Sequence, residues 1–213
     1  MTRKPPLVKI CGLSTAASLS AALDAGADMV GFVFFGPSPR NISLSEAAAL
    51  GGLVKGRAKK VALTVDADDA LIDAVSRALA PDILQLHGRE APERAATLSA
   101  RTGKQIMKAI GVCDRADLAA VQPFAEVCDW LLLDAKPPKD ATRPGGNGQA
   151  FDWSILDDFS PGKPWLLSGG LTPANVADAL ARTGAPGVDV SSGVESAPGV
   201  KDEAAIRAFV AAV

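Results

Sequence analysis

One texture repeats eight times along this chain: a short run rich in Val, Ile, Leu and Phe, then an alanine-rich stretch with helical spacing. The apolar runs fall at 7–11, 29–34, 60–65, 82–87, 105–110, 130–134, 165–168 and 187–191. The helical stretches fall at 15–25, 44–54, 68–79, 91–101, 115–124, 153–157, 173–182 and 202–212. Alanine is the strongest helix former, and β-branched or aromatic runs favour strands. Ser14, Ser43, Asp66 and Thr172 are expected to cap helix starts, Pro173 suits a first helical position, and Gly26 and Gly184 suit helix exits.

Strands joined by helical crossovers are parallel, and eight strand-plus-helix units close most economically into an α/β fold, the (β/α)8 or TIM barrel. At 213 residues the chain would be a compact version, near the lower size limit of about 200. An open doubly wound sheet is the rival. Its dinucleotide fingerprint is missing, because Gly12 after the first run is followed by Leu13, Ser14 and Thr15. No linker or break in composition interrupts the pattern, so residues 1–213 read as one domain.

Composition narrows the function. With 48% apolar and 22% charged residues the chain is no disordered or fibrous protein. Its 22 basic and 24 acidic side chains give a net charge of −2 without a long run of one sign. That argues against nucleic-acid or anionic-membrane partners, which need clustered positive charge. No apolar stretch reaches the length of a membrane span, and the first residues do not read as a signal peptide. Three cysteines (Cys11, Cys113 and Cys128) form an odd set without metal-ligand spacing, so a reducing cytoplasm is expected and no metal site. There is one histidine and no tyrosine, which leaves carboxylates and cysteines as the leading acid/base candidates.

Active sites of such barrels lie at the C-terminal ends of the strands. The expected runs end there in Lys9-Ile10-Cys11-Gly12, Gln85-Leu86-His87-Gly88, Leu132-Leu133-Asp134, Ser168-Gly169-Gly170 and Asp189-Val190-Ser191-Ser192-Gly193. Polar groups closing apolar strands need a reason, since their burial costs free energy. Period-two alternation puts Lys9 and Cys11 on one face, where the ammonium would favour thiolate. An inert core cysteine is the plainer alternative for Cys11, and Cys113 and Cys128 read as inert. Asp134, at the mouth of an apolar strand, suits a carboxyl of raised pKa acting as an acid, or a structural aspartate bonded to loop amides. His87 shares a face with Gln85 and would line the pocket without chemistry of its own, or be a hydrogen-bonded core histidine.

Three glycine groups follow consecutive runs: Gly145-Gly146-Asn147-Gly148, Ser168-Gly169-Gly170 and Ser191-Ser192-Gly193. Glycine lets backbone N–H groups approach an anion, and loops after strands seven and eight often hold phosphate. The expected phosphate cradle is Gly146, Gly148, Gly169, Gly170, Ser191, Ser192 and Gly193. The segment 135–150 is the longest irregular piece, as functional loops often are. Arg40 offers bidentate recognition of a carboxylate, or is a solvated surface arginine.

These pieces together resemble the phosphoribosylanthranilate isomerase family from end to end. The resemblance rests on Val8-Lys9-Ile10-Cys11-Gly12-Leu13, Val30-Gly31-Phe32-Val33-Phe34-Phe35 with Ser38-Pro39-Arg40, and Leu84-Gln85-Leu86-His87-Gly88. It continues through Leu132-Leu133-Asp134, Gly145-Gly146-Asn147-Gly148 with Phe151-Asp152-Trp153, and Leu167-Ser168-Gly169-Gly170-Leu171-Thr172-Pro173 with Asn175-Val176. It ends with Val188-Asp189-Val190-Ser191-Ser192-Gly193-Val194-Glu195 and Lys201-Asp202.

The resemblance implies an Amadori rearrangement of N-(5-phosphoribosyl)anthranilate to 1-(2-carboxyphenylamino)-1-deoxyribulose 5-phosphate, a step of tryptophan biosynthesis. It implies Cys11 as general base, Asp134 as general acid, Arg40 on the anthranilate carboxylate, and the glycine loops on phosphate. Gln85, His87 and Asp189 would lie near the substrate. Internal proton transfer needs no redox cofactor or metal. The expected partner is this small molecule alone, bound by a monomer or homodimer.

Two departures stand out. Asn147 replaces the family's usual threonine or serine, and strand three reads Val61-Ala62-Leu63-Thr64-Val65-Asp66 where the family tends to Gly-Val-Phe-Val-Asn. The competing readings are another phosphosugar barrel enzyme, such as an epimerase, the histidine-pathway isomerase or an indole-phosphate lyase, and a phosphate-binding subunit without catalysis. A pair of aspartates would favour the histidine-pathway enzyme, and the first run supplies Cys11 instead.

Overall fold

Alternation of apolar side chains along a strand gives it two faces, and in a closed ring one of them must point inward. All eight expected strands form: β1 (Leu7–Cys11), β2 (Met29–Phe34), β3 (Lys59–Thr64), β4 (Ile83–Leu86), β5 (Gln105–Val112), β6 (Trp130–Ala135), β7 (Trp165–Leu167) and β8 (Gly187–Val190). The structure is a computed structural model describing residues 5–136 and 151–213. Each strand runs parallel to its neighbour in chain order, and β1 pairs with β8 to close the barrel, with Lys9 opposite Asp189. The open-sheet alternative is thereby excluded.

Outward-facing residues such as Ile10, Val30, Phe32, Leu84, Ile106, Leu131 and Val188 join the apolar faces of the helices in one large core. Inward-facing residues near the strand starts (Met29, Val61, Ile83, Met107, Leu132 and Leu166) make a separate apolar floor. Above it, Cys11, Val33 and Leu63 form a small cluster at the strand exits.

The helices are α1 (Ala16–Ala25), α2 (Leu44–Val54), α3 (Asp69–Leu79), α4 (Pro92–Thr102), α5 (Val121–Val127), α6 (Val176–Thr183) and α7 (Glu203–Ala211). Ser43 caps α2 in a capping box with Glu46, and Gly26 ends α1 in the left-handed conformation, both as the residue types demand. Other expected ends shift. Thr15, not Ser14, caps α1, and Asp68, not Asp66, caps α3. The fifth stretch begins as a 3-10 turn at Arg115–Ala120 and becomes α-helical only at Val121. Pro123 explains the break: in a helix running through from Arg115 it would lie in the interior and clash, whereas here it sits in a first turn. The sixth stretch is only a 3-10 turn, Trp153–Leu156. Pro173 precedes α6 instead of opening it, because Asn175 holds the preceding turn, accepting from the Thr172 N–H at 2.7 Å and donating to Gly170 O at 3.0 Å. After β8 a short antiparallel hairpin, β9 (Glu195–Ala197) and β10 (Val200–Lys201), rises before α7.

Candidate active site

Polar burial is concentrated at the C-terminal mouth: Lys9, Arg40, Gln85, Asp134, Ser168 and Asp189 are all buried. Ring closure brings the two most distant of these together. The Lys9 ammonium, with no exposed surface, donates to Asp189 Oδ1 at 2.6 Å, and Ser168 Oγ donates to Asp189 Oδ2 at 3.2 Å. Lys9 also faces the Cys11 thiol on the same strand, as alternation requires. The expected pull of this ammonium toward thiolate is present, but it is not the largest influence on the sulfur. Burial, the largest influence, pushes the Cys11 pKa up and outweighs the opposing pull of Lys9 and Lys201. Burial pulls Lys9 down, but Asp189 and Cys11 more than offset it, so the ammonium keeps its proton above the usual lysine range. Glycine makes room for the sulfur: a Cβ on Gly31 would lie 2.9 Å from Cys11 Sγ.

Asp134 closes β6 and is three strands from β1 around the ring. Its Oδ1 accepts from the Ala135 N–H at 2.9 Å, which orients the carboxyl. Its Oδ2 lies 3.3 Å from His87 Nε2. His87 Nδ1 in turn lies 3.2 Å from Gln85 Nε2. With the Gln85 amide in that orientation, His87 carries its proton on Nε2, toward Asp134. Gln85 has no exposed surface and supports His87 from beneath, so its expected place on the pocket wall is taken by the imidazole.

Arg40 is no solvated surface arginine. It is 4% exposed, and its Nε and Nη2 donate to the two oxygens of Glu195 at 2.7 and 2.8 Å. The bidentate edge proposed for a substrate carboxylate is therefore occupied by a protein carboxylate. Lys201 Nζ shares Glu195 Oε1 at 2.8 Å and reaches Ser191 O, also at 2.8 Å. Glu195 has its pKa lowered from the usual range: burial pushes it up, but Arg40 and Lys201 outweigh that. Burial holds Lys201 below the usual lysine value despite Glu195. Sequence reasoning quoted Glu195 and Lys201 but gave neither a role. An acidic residue two positions after a glycine of a phosphate loop was the available signal.

The glycine loops meet the geometry an anion needs. Gly169 and Gly170 have φ of 89° and 63°, in the left-handed region open to glycine. A Cβ on Gly193 would collide with Leu171 O, so the loops after β7 and β8 pack backbone to backbone. Among the described residues nothing accepts from the N–H groups of Gly169, Gly170 or Ser192. Gly146 and Gly148 lie outside the described residues. Burial pushes the thiol of Cys128 up to about 11, in keeping with an inert core group, while Cys113 is exposed beyond β5.

Comparison with known proteins gives one answer. The family model for N-(5'-phosphoribosyl)anthranilate (PRA) isomerase matches residues 8–212. The N-(5'-phosphoribosyl)anthranilate isomerase of Nitrobacter hamburgensis is 59% identical over 206 residues, covering 97% of this chain and 92% of its own. That of Rhodopseudomonas palustris is 58% identical over 206 residues, covering 97% and 94%. The crystal structure of phosphoribosyl anthranilate isomerase from Thermotoga maritima matches with a TM-score of 0.85 at 34% identity, covering 97% of each chain. A phosphoribosyl anthranilate isomerase in complex with reduced 1-(o-carboxyphenylamino)-1-deoxyribulose 5-phosphate matches at 0.82 with 32% identity, again over 97% of each chain. The chain belongs to the N-(5'-phosphoribosyl)anthranilate isomerase family, whose members are aldose–ketose isomerases of tryptophan biosynthesis.

Proposed function

We propose that this chain converts N-(5'-phosphoribosyl)anthranilate to 1-(2-carboxyphenylamino)-1-deoxyribulose 5-phosphate, with Cys11 and Asp134 moving the protons. One observation carries the assignment of roles: a buried thiol beside an ammonium closes β1, while a buried carboxyl beside an imidazole closes β6 at the same mouth. Asp134, in its acid form, gives a proton to the furanose ring oxygen. The anilino nitrogen lone pair forms the C=N bond as the C1–O bond breaks, which opens the ring to a protonated imine (an iminium ion). The Cys11 thiolate takes the proton from the sugar's second carbon, and those electrons give an enolamine. Tautomerisation delivers the ketone, so no atom or electron is gained or lost.

Charge at the mouth supports the thiolate as the reacting form. With Asp134 in its acid form, three cations (Lys9, Arg40 and Lys201) meet two carboxylates (Asp189 and Glu195), and a Cys11 thiolate evens the count. Asp189 thus acts through Lys9, and His87 holds Asp134 rather than reacting itself. The unpaired N–H groups of Gly169, Gly170 and Ser192, with Gly193 and Ser191 beside them, take the phosphate, and Gly146 and Gly148 complete that cradle. Arg40 takes the anthranilate carboxylate through the donors that Glu195 leaves open.

Phosphate at one end and carboxylate at the other hold the sugar between base and acid, and such positioning lowers a barrier by several kcal/mol. A single ring of eight strands supports reading residues 1–213 as one domain. Three free thiols support a reducing, cytoplasmic setting. The deciding experiment is a fluorescence progress curve on substrate formed in situ, with wild type beside Cys11→Ala. Rapid loss of substrate with wild type alone, and the aminoketose as product, is the expected result. No turnover by folded wild type would sink the assignment.

A further inference from the structure

Glu195 is a buried carboxylate that the proton transfers do not use. It opens the β9–β10 hairpin and spends both oxygens on Arg40, 155 residues away in sequence. The hairpin is fitted to the Arg40 loop. Gly199, at φ 83°, donates to Glu195 Oε2 at 3.2 Å, and a Cβ on Gly199 would lie 2.5 Å from Pro39 O. From the other side, a Cβ on Gly12 would lie 2.6 Å from Arg40 Cδ. The Arg40 side chain therefore lies against the strand-one exit and is held toward the hairpin by its pair with Glu195.

A guanidinium has five N–H donors in a rigid plane. Glu195 takes the Nε–H and one Nη2–H, which leaves the Nη1–Nη2 edge with no partner among the described residues. Neutralisation would make such an arginine useless for a second anion, and here Lys201 prevents it. Two cations share one carboxylate, so the cluster of Arg40, Lys201 and Glu195 keeps one net positive charge.

We propose that Glu195 is the positioning residue that aims Arg40, and so sets the preference of this enzyme for a substrate bearing a ring carboxylate. The inference rests on the reading of Arg40 as the carboxylate-binding group. Without Glu195 the arginine regains its rotamers, and its planar fork must be ordered each time a substrate binds. The deficit should then fall on KM for the carboxylated substrate, not on proton transfer.

The test compares N-(5'-phosphoribosyl)anthranilate with its analogue made from aniline, which lacks the carboxylate, for wild type, Arg40→Ala, Glu195→Gln and the double variant. Arg40→Ala should abolish the preference for the carboxylated substrate. Glu195→Gln should cut kcat/KM for that substrate about tenfold more than for the aniline analogue, chiefly through KM. The double variant should match Arg40→Ala, because both changes remove one interaction.

If Arg40→Ala keeps the preference, the Arg40 reading fails and takes this inference with it. If Arg40→Ala loses the preference but Glu195→Gln keeps it, only the Glu195 inference fails. An equal loss on both substrates would make Glu195 merely structural and also overturns it. Should Glu195→Gln not fold, Glu195→Asp keeps the charge and shortens the reach by one methylene. A partial loss of preference is then expected, and full preference would be decisive against the proposal.

Discussion

The floor and the mouth of the barrel are built from the same inward faces of the same strands, yet they obey opposite rules. At the floor, Met29, Val61, Ile83, Met107, Leu132 and Leu166 are apolar and essentially unexposed. Burying such a side chain contributes about 1.5–3 kcal/mol. Two residues further along β4, β6 and β7 the inward positions carry Gln85, Asp134 and the neighbouring Ser168, and β1 and β8 add Lys9, Cys11 and Asp189. Buried ion pairs there roughly break even against apolar replacements of the same volume, because desolvation offsets attraction. Stability is thus supplied by the floor and the outer layer, and the mouth is free to hold charge for chemistry. Floor changes should therefore lower stability and spare activity, while mouth changes should lower activity and cost stability only where they strand a buried charge.

The largest effect is expected from Cys11→Ala or Asp134→Asn, each of which should lower kcat by about two to four orders of magnitude. Thermal unfolding should show little change in stability for either variant. Next comes Lys9→Met, which strands the Asp189 carboxylate in the interior and should cost about 3–5 kcal/mol in denaturant unfolding. Adding Asp189→Leu should restore most of that stability while activity stays low. Recovery of activity in the double variant would break the division between the two ends.

At the floor, Leu132→Ala should cost about 2–5 kcal/mol of stability by opening a cavity. Its kcat/KM, measured where the variant remains folded, should stay near wild type. The smallest effect sharpens the picture of the mouth. Because burial raises the Cys11 pKa, the thiolate fraction grows with pH, so kcat/KM should still be climbing at about pH 8.5, the ordinary thiol value. A plateau reached by neutral pH would mean that Lys9 overrides burial.

The sequence made the ring legible because each unit announces itself locally, through an apolar run, a cap and a helix exit. The strand ends then pointed to Cys11, which alternation puts on one face with Lys9, and to Asp134, since a carboxyl after four apolar residues is anomalous in itself. Lys9 and Asp189 were legible singly but not as a pair. Their contact spans 180 residues and exists only because β8 lies beside β1 in a definite register. The Arg40–Glu195 pair was hidden for the same reason, and local reading left Arg40 half-expected in solvent. The helical pattern misled at 115–124, 153–157 and 173–182; in the first and last a proline had to be accommodated, and neighbouring groups decided how.

The pairing of the first strand with the last has a kinetic consequence. Contacts between sequence-distant residues form late, since the intervening chain must first be ordered. The ammonium beside Cys11 has its counter-ion on β8, and Arg40 has its own on the hairpin that follows. A chain folded through six or seven of its units would carry both cysteine and aspartate at their strand ends, yet lack the electrostatic frame in which we propose that they react. Catalytic competence in this molecule therefore registers the closing of the ring, and recovery of turnover during refolding should lag behind the return of helical signal.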